Sequence, residues 1–279
     1  MIVLKKFLKD KPAVLGFAIV LLCVLVAIFA NQLAPYPADA FASHTERRLL
    51  PPGGEFLMGT DDLGRDVFSR LILGTRSAVT VGVLVVGIAM LLGVPAGLIA
   101  GYFGGWMAEC IMRITDIFLS VPQLILALAL AQLLKASLEN AMLALALTYW
   151  PFFCRTVYAE TRRLRVTVFV EALASLGVSA WRILFLHILP NALSPVIVRA
   201  TVGMGFAVLT AASLSFLGMG ATPPDPDWGL AIAASRGYLP DTWWSATFPG
   251  LAIFLVVLGF NLLGDGLRDI VDPRLRRSR

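Results

Sequence analysis

The chain has 279 residues, of which 58% are hydrophobic and only 15% charged, with a mean hydropathy of +0.81. A soluble domain of that length carries more charge, so the bilayer is the expected solvent. The net charge of +5 does not indicate nucleic acid, because the basic residues bracket apolar runs instead of forming one polar surface.

The first apolar run, near residues 13 to 33, follows a flank containing Lys5, Lys6, Lys9 and Lys11. At about 20 residues it exceeds the apolar core of a secretory signal and lacks a small-residue cleavage site, which predicts a retained transmembrane helix. A long polar interruption spans residues 34 to 77. Within it PPGG marks a turn, and GTDDLGRDVFSRLILGTRS follows, with Phe68, Leu71 and Ile72 on one helical face and Asp66 suited to a helix N-terminus. The pattern predicts an interfacial helix leading into the second span. A docking surface for an external partner is the other reading.

Further spans are predicted near 78 to 100, 112 to 134, 140 to 158, 191 to 216 and 246 to 264, six in all. Gly93, Gly97, Gly101 and Gly105 repeat every fourth residue, as do Gly203, Ala207, Ala211 and Ser215, which lets helix backbones approach closely where water cannot drive association. Arg113 and Asp116 lie three apart in the third predicted span and are expected to form a structural pair, with a proton relay as the rival reading, while Pro122 should kink the helix. The KASLEN stretch suits a tight hairpin between spans three and four.

The second long polar interruption, 159 to 189, holds EALASLG. Val170, Leu173, Ala174 and Gly177 are predicted to share a helical face, with Glu171 favoured at the helix start and Pro190 marking entry to the fifth span. Such a helix fits a groove on another protein. Arg199 lies well inside the fifth span, where lining a cavity competes with burial in a helix contact or snorkelling. After that span, PPDPDWG brings Asp225, Asp227 and Trp228 together, as a rigid turn or as a docking point for an external protein.

Fifteen Lys and Arg residues fall on the side of the bundle that holds both termini and 159 to 189, against seven on the other. The imbalance predicts that both termini and this segment are cytoplasmic. Cys23, Cys110 and Cys154 are scattered through or beside apolar runs, a spacing for neither disulfides nor a metal. No phosphate-binding loop, nucleophile elbow or Cys/His cluster is present, and His44 and His187 fall on opposite sides. Catalysis by this chain alone is not expected.

The run EALASLGVSAWRILFLHILPN, Glu171 to Asn191, resembles the E-A-A-x-x-x-G signature and closing L-P of permease subunits of bacterial ABC importers. GTDDLGRDVFSR, GYFGGW with MRITD, WPFFCR, LSFLGMG followed by PPDPDWG, and NLLGDGLRDIVDPR are each similar to the second permease of dipeptide, oligopeptide and nickel importers, in family order. The resemblance implies an all-α, six-transmembrane-helix type I ABC importer permease with a cytoplasmic coupling helix near 167–182. Residues 1–77 would hold the N-terminal segment, first span and periplasmic interfacial region, and 78–279 the five-helix core.

The resemblance further implies that Glu171, Ala172, Leu173, Gly177, Ser179 and Pro190 meet an ATPase. ATP and magnesium would sit on partner ATPase subunits, with no cofactor in this chain. The other partners implied are a related second permease, a periplasmic substrate-binding protein and the lipid bilayer. Leu173 departs from the signature's second alanine, and Arg199 stands where a neutral residue is expected. Peptides are the commonest cargo of such systems, with nickel chelates, glutathione, opines and sugars moved by relatives. A self-contained secondary transporter or channel, and a scaffold that carries nothing, are the alternatives from other classes.

Overall fold

The structure is a computed structural model that describes residues 7–271. Among them the only β-pairing is two isolated bridges, Gly53 with Phe56 and Thr60 with Asp66; the rest is helices and connecting loops. The helices are α1 (Lys11–Ile28), α2 (Val67–Phe103), α3 (Gly105–Ser120), α4 (Gln123–Gln132), α5 (Leu138–Arg165), α6 (Val168–Ser175), α7 (Ala180–Phe216), α8 (Trp228–Ser235) and α9 (Trp244–Val271). Part of the basic N-terminal flank, part of NLLGDGLRDIVDPR and the last four arginines lie outside the described residues.

Three of the long helices begin at a capping side chain. Asp10 accepts from Ala13 N at 3.2 Å ahead of α1, whose first turn contains Pro12; Asp66 accepts from Ser69 N at 2.8 Å ahead of α2, and Ser137 Oγ from Asn140 N at 3.2 Å ahead of α5. The predicted interfacial helix is continuous with the second span: α2 runs unbroken for 37 residues, about 55 Å. The helix continues through Pro95 in its interior and ends at Gly104, which has φ of +68°.

Among the described residues four helices, α1, α2, α7 and α9, are long and apolar enough to cross a membrane. The predicted third span is broken into α3 and α4, which meet at 90°. Val121 and Pro122 are both extended there, a full break where the sequence promised a kink, because the residue before a proline resists the helical region. The predicted fourth span, α5, is 28 residues long but less apolar than the others. It lies at the centre of the bundle against α2, α4 and α7, so its sides meet protein more than lipid.

The core is built on close backbone approach. A Cβ on Gly93 would stand 2.4 Å from Trp150 O, on Gly97 2.5 Å from Cys154 O and on Gly101 2.6 Å from Thr161 Cβ, all on α5. Gly105 falls outside this seam: its φ is +55°, and it opens α3 with nothing within 4 Å of its Cβ position. Ala207, Ala211 and Ser215 of the second repeat are buried, and Gly203 admits the Tyr149 ring. At the edge of the bundle α1 holds to α9 by the same device, Gly16 against Gly259 O and Gly266 against Ala13. Because Arg76 Nε, near the start of α2, donates to Ala27 O at 2.8 Å, α1 runs antiparallel to α2. Lys11 and the end of α9 therefore stand at the same end of the bundle as α6.

Candidate functional site

Three constellations hold the residues singled out in the sequence apart from Arg113 and Asp116: the α6 turn at one end, a charged clasp at the other, and an aromatic cluster around Arg199 between them.

At the first end, Glu171 lies in the first turn of α6, the favourable place for an acid. Gly177 ends the helix with φ of +80°. Val178 N donates to Leu173 O at 3.1 Å and Gly177 N to Ala174 O at 3.0 Å, the paired bonds of a Schellman cap, and the two residues it brings together, Leu173 and Val178, both pack on the core. The predicted face divides here. Val170, 2% exposed, and Leu173 turn inward, whereas Ala174 and Gly177 turn outward with Glu171, Ala172, Ser179 and Pro190. The leucine that departs from the signature thus lies on the bundle side of the helix.

That outer surface also carries apolar side chains that the sequence reading missed. Val168 is 82% exposed and Leu176 80%, with Val166, Phe169 and Trp181 beside them. Large apolar residues within the long polar interruption 159 to 189 were the available signal. Trp181 packs edge-on against Phe103 and stacks on Phe185, tying the entry of α7 to the end of α2. Beyond it a π-helical turn, Leu184–Ile188, leads into Pro190, which has no N–H to give, and Asn191 Nδ2 donates to His187 O at 2.6 Å. A groove of about 530 Å³ lies between α6 and the ends of α2 and α5, lined by Gly101, Phe103, Arg162, Arg165 and Glu171 among others.

The expected Arg113–Asp116 pair does not form. Arg113 Nη2 instead lies 2.5 Å from Glu109 Oε1, and Asp116 is paired with Arg155 of α5. The arginine reaches back one turn toward the helix N-terminus, as helical side chains lean, and the shorter aspartate faces the neighbouring helix. All four side chains are exposed, which does not suit a sequestered proton relay.

At the opposite end, Asp61 receives Arg65 Nε at 2.7 Å and lies 3.5 Å from Arg70 Nε. Arg70, 6% exposed, donates to the carbonyls of Ala40 at 2.5 Å, Pro224 at 3.1 Å and Asp225 at 3.0 Å. Trp228 Nε1 donates to Leu71 O at 3.0 Å and Trp244 Nε1 to Thr60 O at 3.1 Å. The polar segment 34–66 and the turn before α8 are therefore clamped to one another through the start of α2.

This geometry corrects the docking reading for two residues. Trp228 is buried against Gly74, and Asp227 turns inward to accept from Leu230 N at 2.9 Å as the cap of α8; only Asp225 is exposed. Alternating prolines and a capping aspartate make PPDPDWG a rigid turn. Burial raises the Asp227 carboxyl above the usual range, and burial with Asp61 nearby does the same for Asp62. Both are raised, so ionising them weakens this end as pH climbs through and above the ordinary carboxylate range. Asp227→Ala removes the cap and is expected to cost about 1 kcal/mol in thermal or denaturant unfolding, whereas Asp227→Asn, which keeps the accepting oxygen, is expected to cost much less.

Between the ends, the Arg199 guanidinium carbon lies 4.8 Å from the centroid of Phe152. Tyr149 stands beside Phe152 at 5.2 Å and stacks on Phe206 at 6.1 Å. Among the described residues no group of three His, Cys, Asp or Glu side chains is arranged to hold a metal.

Residues 93–277 match the family described as binding-protein-dependent transport system inner membrane component, and residues 2–52 match the N-terminal TM domain of oligopeptide transport permease C. The chain is 44% identical to the dipeptide transport system permease protein DppC of Alkalihalophilus pseudofirmus, over 98% of this chain and 89% of that one. It is 46% identical to DppC of Escherichia coli, over 97% and 92%, and 40% identical to the glutathione transport system permease protein GsiD of Pectobacterium atrosepticum, over 98% and 90%. In fold it is similar to a chain of the MetNI methionine ABC transporter in an inward facing conformation, with a TM-score of 0.60 at 19% identity over 73% of this chain and 96% of that one. With its helical bundle and its full-length relatives, the chain belongs to the binding-protein-dependent transport system inner membrane component family, as a multi-pass membrane permease of a bacterial ABC importer.

Proposed function

We propose that this permease forms, with a related second permease, the path by which dipeptides or a similar small solute such as glutathione enter the cell. The observation that carries the cargo is the match, over nearly the whole chain, to relatives named for dipeptide and glutathione transport. In this reading α6 faces the cytoplasm together with both termini, and its outer surface of Glu171, Ala172, Val168, Leu176, Gly177 and Ser179 seats in a separate ATPase subunit. That partner binds ATP and magnesium, and this chain hydrolyses nothing. A periplasmic binding protein delivers solute at the clasp end.

ATP-driven closure of the ATPases would draw the α6 turns together and open the path outward, and hydrolysis would reset it. The exposed apolar side chains on α6 support a docking role, since such a patch calls for a protein cover. A self-contained secondary transporter is disfavoured because the charged pairs of α3 are exposed and Arg199 is the sole charge left for an embedded coupling site among the described residues of the spans' middle sections.

Gly177 provides the test. A Cβ there meets nothing within 4 Å, although its φ of +80° disfavours most side chains. Gly177→Asn tolerates that backbone, while Gly177→Trp adds bulk to the proposed contact. Purification of the native complex in mild detergent should recover ATPase and second permease with the parent and with Gly177→Asn, and lose or uncouple the ATPase with Gly177→Trp. A parent chain recovered alone that still moves solute in vesicles without ATP would refute the reading. Recovery of the intact complex with no uptake of any peptide would favour the scaffold role.

A further inference from the structure

Arg199 sits roughly 15 Å along the helix axis from Leu189, just past the π-helical turn of α7, and roughly 25 Å from Phe216, farther from either than an arginine side chain extends. Its Nε is buried without a hydrogen-bond partner, and no ion pair among the described residues includes it. What holds it is an aromatic wall. The guanidinium lies over Phe152, and the Tyr149 ring is wedged between Phe152 and Phe206. The wall requires Gly203, one turn beyond Arg199 on α7, where a Cβ would stand 2.6 Å from the Tyr149 hydroxyl oxygen.

A cation over an aromatic face keeps its positive charge, and the guanidinium N–H groups are left to be satisfied. The residue is half-buried, with part of it open at the surface of the single chain. Hydrocarbon is an unsuitable cover for that opening, because an arginine at such depth faces a bundle interior or a wet cavity. The complementary group is planar, anionic and able to take two parallel N–H bonds, which describes a carboxylate. Resting on the peptide-import reading above, we propose that Arg199 faces the path and binds the carboxylate of the passing solute, making the permease itself selective for carboxylate-bearing cargo.

The test uses the complete importer with its binding protein in proteoliposomes. Initial uptake is measured for a dipeptide with a free C-terminal carboxylate and for its C-terminal amide, each at a concentration that saturates the binding protein. The parent is expected to favour the acid. Arg199→Gln should lower acid uptake roughly tenfold, the scale of one charge-assisted hydrogen bond, leave amide uptake unchanged, and so collapse the ratio. Arg199→Lys should retain part of the preference, since it keeps the charge without the planar fork. Amide uptake and the ATP hydrolysis stimulated by the loaded binding protein report that each variant is assembled. An unchanged acid-to-amide ratio, or equal loss for both peptides, overturns the proposal and leaves Arg199 with a packing role or a carboxylate of the second permease as its partner. A parent that moves neither peptide refutes the peptide reading and this proposal with it, whereas parent uptake with an unaltered ratio in Arg199→Gln refutes this proposal alone.

Discussion

Gly97→Leu is expected to leave the chain unable to form its bundle. The Cβ position at Gly97 lies 2.5 Å from Cys154 O, 2.8 Å from Val157 Cβ and 3.0 Å from Tyr158 N. Two of these atoms are backbone, so α5 cannot yield by changing a rotamer, and a leucine would force the two most extensively packed helices apart. Overpacking of a well-filled core costs about 1–3 kcal/mol when neighbours can shift. With backbone in the way the loss should exceed that range. The readout is the fraction of extracted protein that elutes as a folded, monodisperse species in mild detergent. Gly87→Leu is the control on the same helix: nothing lies within 4 Å of its Cβ position, and replacing a mid-helix glycine there is expected to be neutral or to stabilise by up to about 1 kcal/mol. Equal behaviour of the two variants would refute the glycine seam.

Arg70→Ala is expected to detach the cap of loops from the bundle. Its guanidinium serves three carbonyls from two distant segments, Ala40, Pro224 and Asp225, and stands 3.5 Å from Asp61. Removal leaves those acceptors without their donor inside a largely buried site and leaves Asp61 with Arg65 as its remaining close cation. Breaking a buried ionic network of this kind costs about 3–5 kcal/mol. The variant should unfold at lower temperature and be cut by protease between residues 41 and 57 faster than the parent. Arg70→Lys should fail to restore protection, because one ammonium cannot span three carbonyls held in different directions. Unchanged proteolysis in Arg70→Ala would show that Trp228 and Trp244 hold the cap without it.

The helical class, the membrane setting and the glycine seam were legible because they depend on local composition and on spacing along one helix. Asp66 as the cap of α2 and the short helix around Glu171 were legible for the same reason, since caps act within four or five residues, whereas Gly177, expected on the helix face, stops the helix instead. The partners of charged side chains were not. Arg113 had Glu109 and Asp116 at comparable helical distance, and the choice was made by α5, whose Arg155 takes Asp116. For Asp227 and Trp228 the sequence left a rigid turn and a docking point open, and the choice was made by Trp228 reaching Leu71 O across 157 positions of sequence.

The sequence by itself determined that this is a helical membrane permease, where its chain crosses from apolar to polar, and which short helix interrupts the spans, since burial in lipid and helix termination are decided residue by residue. Only the tertiary structure decided that the third apolar run breaks into two helices at 90°, that Leu173 faces inward while Gly177 faces out, that Arg70 locks two remote loops together, and that Arg199 lies on an aromatic wall. Each of these depends on which helix stands next to which, and a charge or an aromatic ring in a bilayer is placed by the neighbour that satisfies it.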